Sequence, residues 1–303
     1  MKKTFFIDDD FHNSRLDKWF KKKICQIPQS LLEKNLRKGN IKVNNKRKKS
    51  SYKLQKKDLI SIYNINFSPN VTKKVFKYKP TKIELKSSSN FFIENNDNFV
   101  VINKPAGISV QSGTKSKKNI LDILRYTKEF EGQSPYTVHR LDKETSGIMI
   151  VAKNRKYAQL FTSLFRIRKI HKVYLGIVIG ELQNKKGTFI DNLFYYEGSK
   201  KIITKAITHY EVIDSNNKYS LIKLSPVTGR KHQLRKQLLM HGNPILGDLK
   251  YRLFDENKSK KSQLMLHAHK INFSISGVKY NFSAEPPNYF KNVIKEKYLK
   301  SFF

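Results

Sequence analysis

Apolar positions in the first 66 residues come in short bursts with helical and then alternating spacing. Leu16, Trp19 and Phe20 share one face of a short helix that the pattern starts near Ser14. Ser30 and Glu33 have capping-box spacing and predict a second helix, which Gly39 stops. Ile41-Lys42-Val43 reads as a strand, Asn44-Asn45 as a turn, and 59–65 as a further strand. Two short helices and a small hairpin make a compact α/β domain over 13–67. Periodicity fades from Ser68-Pro69-Asn70 to Ser87-Ser88-Ser89, which predicts a linker over 68–89. The remainder, 90–303, is dominated by strand-like runs at 99–102, 148–151, 173–179, 206–213, 219–224 and 264–273. Helical patterns interrupt them at 119–126, 154–167, 230–241 and 288–299, with Asn119 and Asn154 as N-caps. Strands outnumber helices without regular βαβ alternation. The expected class is therefore α+β, with a mixed, mostly antiparallel sheet.

Charge narrows the range of partners. Lys and Arg number 61 against 24 Asp plus Glu, a net charge of +37 over 303 residues. Such a field draws in polyanions and gains from counterion release on binding. Lys is abundant throughout, so placement carries more weight than the total. Residues 13–57 hold 16 basic and 2 acidic side chains, the footprint of an RNA-binding module. The single cysteine, Cys25, excludes an internal disulfide framework, a four-Cys zinc site and a CxxC redox motif. No apolar run approaches the ~18 residues of a spanning helix, and Asp8, Asp9 and Asp10 interrupt any signal-peptide core. A soluble cytoplasmic protein that makes no membrane contact is expected, and nothing demands more than a monomer.

The common cofactor and hydrolase motifs are missing, including GxGxxG, the P-loop, HExxH and GxSxG. His267 and His269 face one side of a predicted strand but lack a third ligand, so no metal is expected there. Ser112 and Lys115 match SxxK without its companion motifs, and are set aside. The informative stretch is His139-Arg140-Leu141-Asp142-Lys143-Glu144-Thr145-Ser146-Gly147, running into the apolar 148–151. A polar cluster that leads into a buried strand is how catalytic groups are held at the lip of a sheet. Asp142, between Arg140 and Lys143, suits a nucleophile or base. Composition alone favours the plainer alternative, a turn in which Asp142 accepts backbone amides before Gly147.

The full string resembles the signature of the RluA-type pseudouridine synthases. So do Asn103-Lys104-Pro105-Ala106-Gly107, Lys172-Val173-Tyr174-Leu175, Thr228-Gly229-Arg230-Lys231-His232-Gln233-Leu234-Arg235, Gly247-Asp248 with Tyr251, and Leu264-Met265-Leu266-His267-Ala268. The resemblance covers nearly the whole chain. It implies a pseudouridine-synthase-type catalytic domain that turns uridine into pseudouridine with no cofactor and no metal. Asp142 would be the catalytic carboxylate, Tyr174 the tyrosine that stacks on uracil, and Arg235 the partner of the carboxylate. Arg140 would be the wedge that fills the space of the flipped base. Lys143, Lys153, Arg230 and Lys231 are candidates for phosphate contacts, while His139 would orient the loop. Lys231, Leu234, Arg235 and Leu238 would share a face of a helix through 230–241. Lys231, Lys236 and Gln237 depart from the commoner residues, which leaves the presumed catalytic set intact.

The leading domain resembles the S-four-like RNA-binding domain. Its marks are Arg15-Leu16-Asp17-Lys18, Leu36-Arg37-Lys38-Gly39, and Val43-Asn44 before Tyr52-Lys53-Leu54. Arg15, Arg37 and Lys38 are its candidate RNA contacts. Within the family, the leading module and its Arg-Lys-Gly-Asn turn look closest to the RluC subgroup. Members of that subgroup modify uridines of large-subunit (23S) ribosomal RNA. A non-catalytic ribosome assembly factor is the alternative, disfavoured by the retention of Asp142, Tyr174 and Arg235. A metal-dependent nuclease would need clustered carboxylates, and none are paired in a suggestive motif.

Overall fold

The computed structural model describes residues 2–63, 78–112, 118–197, 200–253 and 263–301. The chain divides into two compact units, Met1–Phe76 and Lys77–Phe303.

In the first unit, β1 (Lys2–Phe6) precedes α1 (Leu16–Lys23), α2 (Gln29–Lys38), β2 (Ile41–Val43) and β3 (Leu59–Tyr63). The three strands pair antiparallel in the order β1-β3-β2. Leu16, Trp19, Phe20, Leu32, Leu36, Ile41, Val43 and Ile60 close the core against this sheet. The apolar spacing of α1 and α2 thus faces where it predicts. Asn44 and Asn45 both have positive φ, as a tight turn requires. Gly39 ends α2 in the left-handed region and donates its N–H to Leu36 O.

Two expectations are corrected here. β1 pairs with β3 along its whole length, so the unit begins ahead of residue 13. A strand with Lys2 and Lys3 among its five residues carries little apolar signal. Ser30 does not cap α2, which begins at Gln29 after Pro28. The Glu33 carboxylate instead accepts from Gln29 Nε2 (3.0 Å) and Ser50 Oγ (3.2 Å).

Residues 68–77 of the expected linker lie outside the described residues. The rest of it is ordered. Lys82–Ser88 forms α3, and Thr81 and Glu84 make a reciprocal capping box. The Glu84 carboxylate also accepts from Tyr78 and Lys118. The Ser-rich end at 87–89 suggests a loop, whereas the helix is secured by polar bonds that apolar periodicity does not register.

The second unit continues with β4 (Phe92–Asn95), β5 (Phe99–Lys104), α4 (Ile120–Leu124), β6 (Tyr136–Thr137), β7 (Ser146–Ala152) and α5 (Arg155–Arg166). Then come β8 (His171–Ile179), β9 (Lys186–Glu197), β10 (Lys200–Ser215), β11 (Tyr219–Pro226) and α6 (Gln233–Met240). It ends with β12 (Leu266–Ile275), β13 (Val278–Ser283) and α7 (Asn288–Glu296). Among the described residues ten strands form one sheet, with the path β4-β5-β7-β12-β8-β11-β10-β9. β13 pairs with β12, and β6 with β7. Among the described residues the sheet's one parallel strand pair is β7 with β12; the other pairs are antiparallel. The α+β class with a mixed, mostly antiparallel sheet is therefore observed.

Asn119 and Asn154 cap α4 and α5 by accepting the N–H groups of Asp122 and Tyr157. α6 starts at Gln233 and not at 230. The Gln233 side-chain oxygen accepts from Arg230 N and Thr228 Oγ1, which holds 228–230 as a turn. Lys231 therefore lies ahead of the helix and shares no helical face with Arg235.

Candidate active site

Asp142 sits in the loop between β6 and β7, and three attachments fix that loop. The buried Lys104 at the end of β5 donates from Nζ to the carbonyls of Pro105 (2.8 Å), Ile108 (3.0 Å) and Lys143 (3.2 Å). Gly107, at φ +83°, adds an N–H to the same Lys143 carbonyl. Burial draws Lys104 down to about 7, partly offset by the charges of Glu144 and Asp142. The second attachment is His139, whose Nε2 accepts the Ile150 N–H at 2.9 Å while its ring packs on Phe165. A ring that accepts there carries its proton on Nδ1 and is neutral. The third is the Ser146-Gly147 step. Ser146 Oγ meets His267 Nδ1 at 2.9 Å. A Cβ at Gly147 (φ +110°) would overlap the Ala268 backbone. Only glycine permits that parallel approach of β7 and β12.

His139 gives a pH prediction. Burial and the Lys172 charge push it down to about 3 from its ordinary 6.5. Between those values the unfolded chain holds a proton that the folded chain lacks. Stability is then complete above 6.5 and falls as pH drops toward 3, by about 1.4 kcal/mol per pH unit for one proton. His267, pushed down to about 4 chiefly by burial, adds to the same slope. Melting temperatures measured from pH 7 to pH 4 should fall less steeply for His139→Gln than for wild type. Equal slopes would mean that His139 is not held neutral.

Across from the loop, α6 presents Arg235, with a side chain 10% exposed. Its main partner is a surprise. Nε and Nη2 donate to the two oxygens of Asp248 at 2.6 and 2.7 Å, a bidentate pair with a carboxylate that is 0% exposed. Asp248 Oδ1 also accepts the backbone N–H groups of Lys250 and Tyr251. The remaining Nη1 reaches Asp142 Oδ2 at 3.3 Å. Asp142 Oδ1 faces His232 Nε2 at 3.5 Å. Tyr174 enters from β8, half-buried, with burial and the Asp142 charge holding its hydroxyl above the ordinary phenol range.

Asp142, Tyr174, His232 and Arg235 line a cavity of about 670 Å³. Seven lysines and arginines surround it, and Asp142 is its one acidic residue among those described. Asp142, Tyr174, Arg235, Arg140, Arg230 and Lys231 all meet there. Arg140, Arg230 and Lys231 are exposed at the rim. Lys143 does not line the cavity, and its ammonium lies 3.7 Å from Glu144. Lys153 does not line the cavity; most of its side chain is buried, with Nζ 6.0 Å from the centroid of the Phe130 ring. Arg15, Arg37 and Lys38 belong to the first unit. Arg15 is bound to Asp17 through two hydrogen bonds, while Arg37 and Lys38 are exposed at the end of α2. His267 and His269 both donate to the Ala284 carbonyl. Among the described residues no His, Cys, Asp or Glu cluster is arranged to hold a metal ion.

Known proteins resemble this chain over most of its length. The family model described as RNA pseudouridylate synthase matches residues 98–240. A ribosomal large subunit pseudouridine synthase C from Rickettsia bellii is 33% identical over 293 residues, covering 92% of this chain and 97% of its own. Its counterpart from Rickettsia felis is 35% identical over 298 residues, covering 94% and 97%. This chain belongs to the RNA pseudouridine synthases. The synthase is also similar to the solved structure of human RNA pseudouridylate synthase domain containing 4. That likeness has TM-score 0.63 and 25% identity, covering 72% of this chain and 97% of that one. Uridine isomerisation to pseudouridine is the family's reaction.

Two residues of the synthase's site escaped the sequence reading. Asp248 stood inside a recognised motif, but its pairing with Arg235 is a tertiary contact. Gly247 (φ +79°), where a Cβ would overlap the Gln263 carbonyl, marks the tight turn that aims it. His232 has φ +53°, a conformation that turns it back toward Asp142. Its Nδ1 lies 2.9 Å from the Tyr251 hydroxyl, and burial lowers its pKa against the opposing pull of Asp142. With Tyr251 donating to Nδ1, the neutral ring presents Nε2–H to Asp142.

Proposed function

We propose that the synthase isomerises specific uridines in 23S ribosomal RNA, using the Asp142 carboxylate and no cofactor. One observation carries the chemistry. A lone carboxylate is held between Arg235 and His232 beside Tyr174, inside a basic cavity. The reaction detaches uracil from C1′, turns it and rejoins it through C5. It needs neither redox change nor phosphate energy, so the groups at hand suffice. Asp142 adds to C1′ or removes the C2′ proton. Tyr174 stacks on the base and sits where the C5 proton departs. Arg140 fills the space that the flipped base leaves, which offsets part of the few kcal/mol that unstacking costs. Arg230 and Lys231 grip neighbouring phosphates.

The substrate class is supported by the names of the Rickettsia relatives, which are similar over nearly their full length. We read the first unit as an S-four-like RNA-binding domain. Exposed Arg37 and Lys38 offer phosphate contacts, whereas Arg15 would first have to leave Asp17. We expect a cytoplasmic monomer. Among the described residues no helix is long and apolar enough to cross a membrane. The test is to map pseudouridines by carbodiimide primer extension in ribosomal RNA from cells with and without the gene. Stops in 23S RNA that vanish with the gene support the proposal. A complete set of stops without it refutes the 23S substrate.

A further inference from the structure

We propose that Lys172 binds the uracil ring while it is detached, its ammonium receiving the negative charge on the base carbonyls. This rests on the pseudouridylation reading and deepens it. Lys172 stands two residues before Tyr174 on β8, so both side chains leave the same face of the strand. Both line the cavity. Among the described residues the Lys172 ammonium has no hydrogen-bond, ion-pair or ring partner. It is half-buried.

The other cavity cations are differently placed. Arg235 is committed to Asp248 and Asp142. Arg140, Arg166, Arg168, Arg230 and Lys231 are exposed, which suits them to phosphates. The Lys172 ammonium reaches as far as the 228–230 turn, where a Cβ at Gly229 would lie in ordinary contact, 4.0 Å from Nζ. Burial lowers the Lys172 pKa from its ordinary value, the cost of holding an uncompensated cation. An anion arriving during the reaction would offset that cost.

The chemistry supplies such an anion. The N1–C1′ bond breaks with both electrons leaving on the base, so uracil departs as an anion with charge on O2 and O4. The sugar is balanced by Asp142, which bonds to C1′ or takes the C2′ proton. An electron pair from the base then forms the C5–C1′ bond. Asp142 leaves C1′ or returns its proton to C2′, the C5 proton departs to solvent beside Tyr174, and N1 takes up a proton from solvent in exchange. Uracil is nearly symmetric about its N3–C6 axis. A half-turn about that axis exchanges N1 with C5 and O2 with O4. One cation beside the ring thus faces O2 before the turn and O4 after it. A compact ammonium on a flexible stem can follow the oxygen during the turn better than a planar guanidinium fork.

The test uses the full chain and an RNA carrying one of the mapped uridines. Single-turnover rates are compared for wild type, Lys172→Met and Lys172→Arg, together with RNA dissociation constants across salt concentrations. Lys172→Met should lower the rate by about 100-fold, the scale for losing one donor to developing negative charge. RNA affinity and its salt slope should stay at wild-type values, and Lys172→Arg should recover part of the rate. Placing 4-thiouridine at the target, whose base leaves as a weaker base, should shrink the Met variant's deficit. An unchanged rate overturns the proposal, as does an equal deficit with both bases. A weaker affinity with the salt slope reduced by about 1 also overturns it, because the ammonium then serves a phosphate. If wild type fails on this RNA, the functional reading itself fails.

Discussion

Asp142→Asn should leave a folded protein that binds RNA and forms no pseudouridine, with the rate down by at least about 10,000-fold. The amide keeps the shape of the side chain but neither adds to C1′ nor takes a ribose proton. The structure also makes the substitution mild for stability. Arg235 keeps both hydrogen bonds to Asp248, so neutralising Asp142 leaves no buried charge without a partner. Release of tritium from RNA labelled at uracil C5 reads the activity, and a thermal melt reads the fold. Release at the wild-type rate would remove Asp142 from the chemistry. A collapsed melting temperature would mean that Arg235 depends on Asp142 after all.

Asp248→Ala should have the opposite balance, damaging stability first and activity with it. It leaves the Arg235 guanidinium, 10% exposed, with the 3.3 Å contact to Asp142 as its one ion pair among the described residues, beside the face of the Tyr251 ring 5.0 Å away. Breaking a buried pair from one side costs about 3–5 kcal/mol. For a unit of this size that lowers the melting temperature by on the order of 10 °C. The freed guanidinium would also close on Asp142 and shift the carboxylate. A displacement near 1 Å can slow chemistry by about 100-fold. Asp248→Asn, which keeps an oxygen for the Lys250 and Tyr251 amides, should fall between wild type and Asp248→Ala. A wild-type melt and rate for Asp248→Ala would show that Asp248 does not hold the arginine.

Much of this was legible in the chain because local pattern and local structure agree. The apolar runs at 99–102 and 148–151 are central strands buried on both faces, the setting that produces unbroken hydrophobic stretches. β9 escaped notice for a related reason. Phe189 and Leu193 face the core while Ile190, Phe194 and Tyr196 are exposed, so the alternation of a one-sided strand is blurred. Asp142 was legible from its surrounding string, since loop and strand are contiguous. Asp248 and His232 were not. The first acts through a partner 13 residues away that only the fold brings near. The second depends on a backbone angle that no spacing encodes. Lys153 illustrates the reverse error. Its charge suggested phosphate, yet its position just past the end of β7 keeps it out of the cavity lining.

The place of β12 in the sheet has a consequence for how the protein is made. β12 lies between β7 and β8, although 113 residues of chain separate Ala152 from Leu266. While the chain is emerging during synthesis, β4-β5-β7 and β8-β11-β10-β9 are two half-sheets, each with an open inner edge. They are joined only when residues 266–275 arrive. That same insertion brings His267 against Ser146, the Ala268 backbone against Gly147, and Leu266 into the lining of the cavity that holds Asp142. A nascent synthase therefore lacks a complete cavity around Asp142 until residues 266–275 have been translated. The long-range pairing that makes the site rigid also makes it a late step in folding.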